Sequence, residues 1–212
     1  MAKRGSYAKG VAKREEILTS ALDVIAREGF RKASVREIAD AVGLSQAGLL
    51  HYFGSKEQLF VEIMRKRDEV DTEHFDLDSS HYNPMREGYL RVIRHNSEVP
   101  GVVELFSRLA VEASDVEHPA HEYFLQRSAL IRELFTKSIA EEQEAGRVTD
   151  KVDAEVLARI LQAVSDGMQL QWLLDRDVDM AATVDALFTL LGAAPANTAA
   201  SAPAGETSTA DS

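Results

Sequence analysis

Between Ser34 and Lys56 the chain gathers hydroxyl, guanidinium, amide, imidazole, phenol and ammonium groups at spacings suited to a polyanion and to base edges. Gln46 offers a donor and an acceptor side by side, the pattern that reads adenine in a major groove, and small Ala47 and Gly48 let a helix backbone approach closely. Leu50, His51 and Tyr52 follow in the same stretch. Lys56 comes just after Ser55 at a helix start, where unspent backbone N–H groups and an ammonium suit a phosphate. Other chemistries are poorly served. The absence of cysteine excludes thiol nucleophiles, cysteine–zinc sites, iron–sulfur clusters and disulfides. His118 and His121 stand three apart beside Glu117 and Glu122, but the pair spans a helix start and lacks a third ligand, so no metal and no cofactor is expected. No Gly-x-Ser-x-Gly elbow or other catalytic set is visible, and the chain does not read as an enzyme.

The elements that must position these groups are helical. Apolar residues at Ile17, Leu18, Ala21, Leu22, Ile25 and Ala26 make one stripe between Val11 and Glu28, closed by Gly29. Ser34-Val35-Arg36-Glu37 is a capping box that opens a short helix stopped by Gly43. Ser45 caps a third helix, Gln46 to Phe53, anchored by Leu49 and Phe53. Two short helices joined at a glycine make a helix-turn-helix. Ser55-Lys56-Glu57-Gln58 reads as a second capping box, starting a helix to about Val70, and Asp71 to Asn83 reads as its fraying end and a loop. Pro84, Pro100 and Pro119 mark the first turns of helices over 84–98, 100–113 and 119–145, followed by 153–174 and 179–191. With no period-two segment, the expected fold is all-α with about nine helices. The expected divisions are 1–56, the helix-turn-helix unit, with 1–10 as a flexible basic arm, 57–192, a helical body, and 193–212, a disordered tail.

Charge is divided in the same way. Residues 1–56 carry ten Lys/Arg against six Asp/Glu, whereas the remainder carries 14 against 29, giving −11 in all. A basic front on an acidic body suits a protein that meets phosphates at one end only. Lys3, Arg4, Lys9, Lys13 and Arg14 form either a minor-groove arm or a solvated tail. Nowhere do about 18 apolar residues run uninterrupted, so no membrane partner is expected and the chain reads as cytoplasmic.

Gly29-Phe30, the run Ser34 to Ser45, and Leu49-Leu50-His51-Tyr52-Phe53-Gly54-Ser55-Lys56-Glu57-Gln58-Leu59 together closely resemble the DNA-binding domain of TetR-family transcriptional regulators. The resemblance covers about residues 12–64, and the later helices are more weakly similar to the BetI-like branch. It implies a bacterial protein, nucleoid-associated when bound to DNA. It places Ser34 and Arg36 at phosphate or base-edge positions, Ser45 and Gln46 at the start of the recognition helix, Gly48 and Leu50 toward bases, and Tyr52 and Lys56 on phosphates. Ala47 and His51 complete that surface.

In the body, Phe106, Leu109, Tyr123, Phe124, Arg127, Leu130, Phe135, Met168, Gln169 and Trp172 are candidates to line a small-molecule pocket, an apolar wall with a few polar groups. The same residues at helical spacing also suit a core. The last two helices carry apolar residues on more than one face: Leu157, Ile160, Leu161 and Val164, then Val184, Leu187, Phe188 and Leu191. Such width predicts a homodimer through a four-helix interface, which would set two recognition helices on a palindromic DNA operator. The reading is a dimeric DNA-binding regulator, a repressor released by an effector. An activator, or a DNA-binding protein without a ligand, is the alternative.

Overall fold

The computed structural model describes residues 2–75 and 82–192, with side chains placed for 9–74 and 85–192. Nine helices account for most of these: α1 (Ala2–Glu28), α2 (Val35–Ala41), α3 (Gln46–Phe53), α4 (Lys56–Phe75), α5 (Tyr82–Glu98), α6 (Pro100–Glu112), α7 (His121–Glu144), α8 (Ala154–Leu174) and α9 (Met180–Leu191). The only pairing of strand type among the described residues is a bridge between Val148 and Gly192. The expected tail, 193–212, and part of the expected loop, 76–81, lie outside the described residues.

Too short to hold together alone, α2 and α3 rest on their caps and on the core beneath them. Ser34 accepts from the Glu37 N–H while the Ser34 N–H donates to Glu37 Oε2 (2.8 Å), so the first capping box is complete. Between the two helices Gly43 adopts φ +68°, a left-handed conformation that a side chain disfavours, and the Leu44 N–H reaches back to the Ala39 carbonyl at 2.9 Å. Ser45 caps α3 by accepting from the Gly48 N–H at 3.0 Å.

Several boundaries differ from expectation. α1 begins at Ala2, so residues 2–10 are its first turns and not a separate arm; alanine, lysine and arginine are strong helix formers and outweigh Gly5 and Gly10. α4 continues to Phe75, past Val70. Its capping box is half made. Ser55 accepts from the Gln58 N–H at 3.0 Å, but the Gln58 amide turns to Glu62 instead of reaching back. α7 starts at His121, which leaves Pro119 in the preceding turn.

Two cores organise the molecule. The first joins Ile17, Ile25, Ile38, Leu49, Phe53, Leu59 and Ile63 of α1–α4 to Val102, Leu105, Phe106 and Leu109 of α6 and to Tyr123 of α7. The second lies among α5, α7, α8 and α9 around Phe135, Ile139, Leu161 and Phe188. Apolar packing thus runs from the helix-turn-helix into the body without a break at residue 56.

The joint is close. A Cβ on Gly101 would stand 2.2 Å from the Ile25 carbonyl oxygen and 2.8 Å from Gly29 Cα, so α6 touches the end of α1 backbone to backbone. Around this crossing Phe30 packs edge-on against Phe60 (5.4 Å), lies under the Arg108 guanidinium (5.6 Å), and Arg31 pairs with Glu104 at 2.9 Å.

Leu157, Leu161, Val184, Phe188 and Leu191 correct the expected dimer surface, because all five are buried within this chain's second core. Helices stacked in a body need inward faces of their own, and these residues supply them. Ile160 is exposed, while Val164 and Leu187 are half-buried.

Candidate nucleic-acid interface

α3 presents one face to the core and the other to solvent because its apolar anchors lie four residues apart. Leu49 and Phe53 are buried, whereas Gln46, Ala47 and His51 are exposed and Gly48, Leu50 and Tyr52 half-buried. Within the described residues the Gln46 amide makes no hydrogen bond, so its donor and acceptor are both unspent. A Cβ at Gly48 would meet Ser45 Oγ at 3.1 Å, and the missing side chain keeps this part of the face shallow.

The two cap serines differ in what they can still do. The Ser34 hydroxyl accepts from the Glu37 N–H and is also bonded to the Glu37 carboxylate, so its proton is engaged. That hydroxyl and the Ser34 N–H hold the Glu37 carboxyl below the usual carboxylate range. Ser45 Oγ accepts from the Gly48 N–H and keeps its own proton for another acceptor. Arg36 and Asp40 form a loose exposed pair at 3.7 Å, easily exchanged for a phosphate. Lys56 is exposed at the first position of α4, its ammonium 5.6 Å from the Phe60 ring, and forms no ion pair among the described residues.

Arg14, read from the sequence as part of a tail or arm, is instead a bracket for the recognition helix. Its guanidinium lies 4.5 Å over the Phe53 ring, donates to the Tyr52 carbonyl, and pairs with Glu62 of α4 at 3.4 Å. Lys13 similarly donates to the Val42 carbonyl at 3.2 Å. A cation three residues before the apolar stripe gave the sequence no means to distinguish bracket from arm.

A family profile described as bacterial regulatory proteins, tetR family, matches residues 17–63. Over a longer stretch, the chain is 31% identical over 159 residues, 74% of its length and 80% of the other's, to the HTH-type transcriptional repressor Rv1474c of Mycobacterium tuberculosis. The chain belongs to the TetR family. It is a DNA-binding transcriptional regulator, with α2 and α3 as its helix-turn-helix. Its fold matches a TetR transcription regulator from Haloarcula marismortui (TM-score 0.68, 19% identity, 86% of this chain and 99% of that one). It also matches the TetR-family repressor FadR of Thermus thermophilus in complex with lauroyl-CoA (TM-score 0.56, 17% identity, 84% and 92%). No helix among the described residues is long and apolar enough to cross a membrane.

In the body of this TetR-family chain the ten expected pocket residues divide. Phe106, Phe124 and Arg127 line a cavity of about 350 Å³ between α6, α7 and α8, together with Ala110, Gln162 and Asp166. Tyr123, Arg127 and exposed Leu130 border a neighbouring groove against α4. Leu109 is buried in the first core, and Phe135, Met168 and Trp172 in the second. Gln169 is buried with its Oε1 unpartnered. Residues with the same helical spacing separate because the bundle has two cores to fill.

Two expected pocket residues, Arg127 and Tyr123, are tied to α4 by a carboxylate outside the sequence expectation, Asp68. Arg127 Nε lies 3.1 and 3.0 Å from the two oxygens of Asp68, and the Tyr123 hydroxyl donates to Asp68 at 2.5 Å. Burial works against the charge of Arg127, but Asp68 more than restores it. Burial, reinforced by Asp68, keeps the Tyr123 phenol protonated. Next to Asp68 in the chain, buried Arg67 pairs with Asp71 one turn on (3.2 Å) and donates to Asn96 of α5 (2.5 Å). Arg67 and Asp71 continue the core-facing spacing of Phe60, Ile63 and Met64, and charge on an inward stripe was the signal available. His118 and His121 serve the connection before α7: His118 Nδ1 accepts from the Ala120 N–H at 3.2 Å, and His121 Nδ1 lies 2.8 Å from the Ala113 carbonyl.

Proposed function

We propose that this chain is a homodimeric repressor which reads a palindromic operator through α3 and is released by a small molecule held between α6, α7 and α8. The observation that carries DNA reading is the open face of α3, where Gln46 keeps both hydrogen-bonding groups unspent beside Ala47 and Gly48. Ser45, Arg36, Tyr52 and Lys56 flank it as phosphate contacts, with Leu50 and His51 at its edge; Ser34 acts chiefly as a cap.

Dimerisation is supported by a stripe on α8. Val156, Ile160, Leu170 and Leu174 are exposed apolar residues on one face, and Gly167 lies among them with open space where its Cβ would be. Leu190, 79% exposed, extends the apolar surface on α9. A stripe of this kind facing water calls for a partner, and a second copy would bring two recognition helices to the roughly 34–36 Å spacing of successive major grooves.

Release by a ligand is supported by the shared position of Arg127, which lines the cavity and grips Asp68 on α4. A ligand that prefers one setting of this grip shifts the α4 position, and with it the spacing of the two reading heads. The repressor named Rv1474c and the lauroyl-CoA complex of FadR are consistent with each half of this reading. The test is to map the bound sequence by footprinting and screen compounds for release. A protected site without two-fold symmetry overturns the dimeric reading, and a dimer that no compound displaces overturns the effector.

A further inference from the structure

The cavity between α6, α7 and α8 has walls of unequal character. Phe106 and Phe124, whose rings are 5.3 Å apart, form its apolar side with Ala110 and Leu170. Among the lining residues Asp166 also brings a carboxylate from α8 and Arg127 a guanidinium from α7. The two are not equally occupied. Arg127 is committed to Asp68 and lies 4.9 Å over the Phe106 ring. The Asp166 carboxylate has no hydrogen-bond partner and no ion pair within 4.0 Å among the described residues.

Charge counting around this region points the same way. Asp68 is matched by Arg127 and Asp71 by Arg67, which leaves Asp166 as the surplus carboxylate. Asp166 is exposed, yet neighbouring protein hinders the hydration of its carboxylate enough to push its pKa up against the pull of Arg127 and Arg67. A negative group without a partner, in a cavity that also offers aromatic and aliphatic surface, is complementary to a cation with an apolar body, because the carboxylate attracts positive charge and the rings take up apolar surface.

We propose that this cavity takes an amphipathic cation, its ammonium or amidinium group on Asp166 and its apolar body against Phe106 and Phe124. The assignment rests on the reading of the cavity as the effector site, but its test is independent of DNA. Three probes of one shape and different charge, naphthylmethylammonium, naphthylmethanol and naphthoate, are titrated into the full chain by calorimetry. The ammonium is expected to bind roughly tenfold or more tightly than the alcohol, and the carboxylate most weakly. Asp166→Asn should remove that preference and leave the alcohol's affinity within about twofold. Ala110→Trp, which fills the cavity, should abolish binding of all three. Equal affinities, preference for naphthoate, or a preference that survives in Asp166→Asn overturns the proposal. Undiminished binding to Ala110→Trp does so as well, by placing the probes elsewhere. Failure of every probe to bind overturns both the cation and the cavity as a ligand site. Binding of the ammonium without any release of operator DNA overturns only the effector reading.

Discussion

Replacing Gly101 with alanine tests the joint between the reading head and the body. The added Cβ would meet three backbone atoms, the Ile25 carbonyl oxygen at 2.2 Å, Gly29 Cα at 2.8 Å and the Phe30 nitrogen at 2.9 Å. None of these can swing away as a side-chain tip would, so α6 and the end of α1 must part by about 1 Å to restore ordinary contact distances. Overpacking of this kind costs roughly 1–3 kcal/mol, and the unyielding partners favour about 2–3 kcal/mol. For a chain of this size that lowers Tm by roughly 5–10 °C. Because the same contact fixes α1 against α6, operator affinity should fall too, by roughly tenfold if about half of the strain is relieved by tilting the head. Thermal unfolding by circular dichroism and fluorescence anisotropy on the mapped operator read the two effects. Gly10→Ala is the control: it lies in α1 with nothing within 4 Å of its Cβ, and should leave Tm equal or slightly higher. A Gly101→Ala protein as stable as the parent, with unaltered operator affinity, would refute the close-joint argument.

Lys56→Ala should weaken operator binding and reduce the slope of log affinity against log salt by about one; an unchanged slope rules out its phosphate contact. Asp68→Asn leaves Arg127 without its counter-charge and should cost about 1–3 kcal/mol in urea unfolding, so an unshifted midpoint would contradict the grip on α4. Asp166→Asn should raise stability at neutral pH. The folded-state pKa of Asp166 lies above its ordinary value, so its ionisation disfavours folding. The gap between variant and parent should therefore open as pH rises from the ordinary carboxylate range through the raised pKa and vanish in acid; a gap largest in acid would reverse the sign of the argument. Leu161→Glu puts a charge at a position with 0% exposure and should unfold the chain, whereas Ile160→Glu, at 41% exposure, should yield a folded monomer by light scattering. A folded dimer for Ile160→Glu would remove α8 from the interface.

Local signals, read along the chain, were sufficient for the reading head. Ser34 with Glu37, Gly43, Ser45, and the pair Leu49 and Phe53 each act within four residues of one another, so spacing alone specifies the turn and which side of α3 faces out. Family membership was legible for the same reason. The extent of α1 and α4 was less so, because alanine, lysine, arginine and glutamate continue a helix without marking its end.

What tertiary structure alone decided is where distant segments meet. Periodicity identifies an apolar face but not its occupant, which is why Leu161 and Phe188 turned out to fill this chain's own core, while Ile160, Leu174 and Leu190 face outward. Gly101 looks like any helix-start glycine until α1 arrives against it, and Arg14 like any surface cation until Phe53 lies beneath it. The pairing of Arg127 with Asp68 spans 59 residues of sequence, and the separation of Asp166 from a partner of its own depends on α4, α7 and α8 packing together. Sequence sets what each helix can offer over a few residues. Contacts between residues far apart along the chain are fixed only when the helices pack, and in this protein they join the reading head to the cavity.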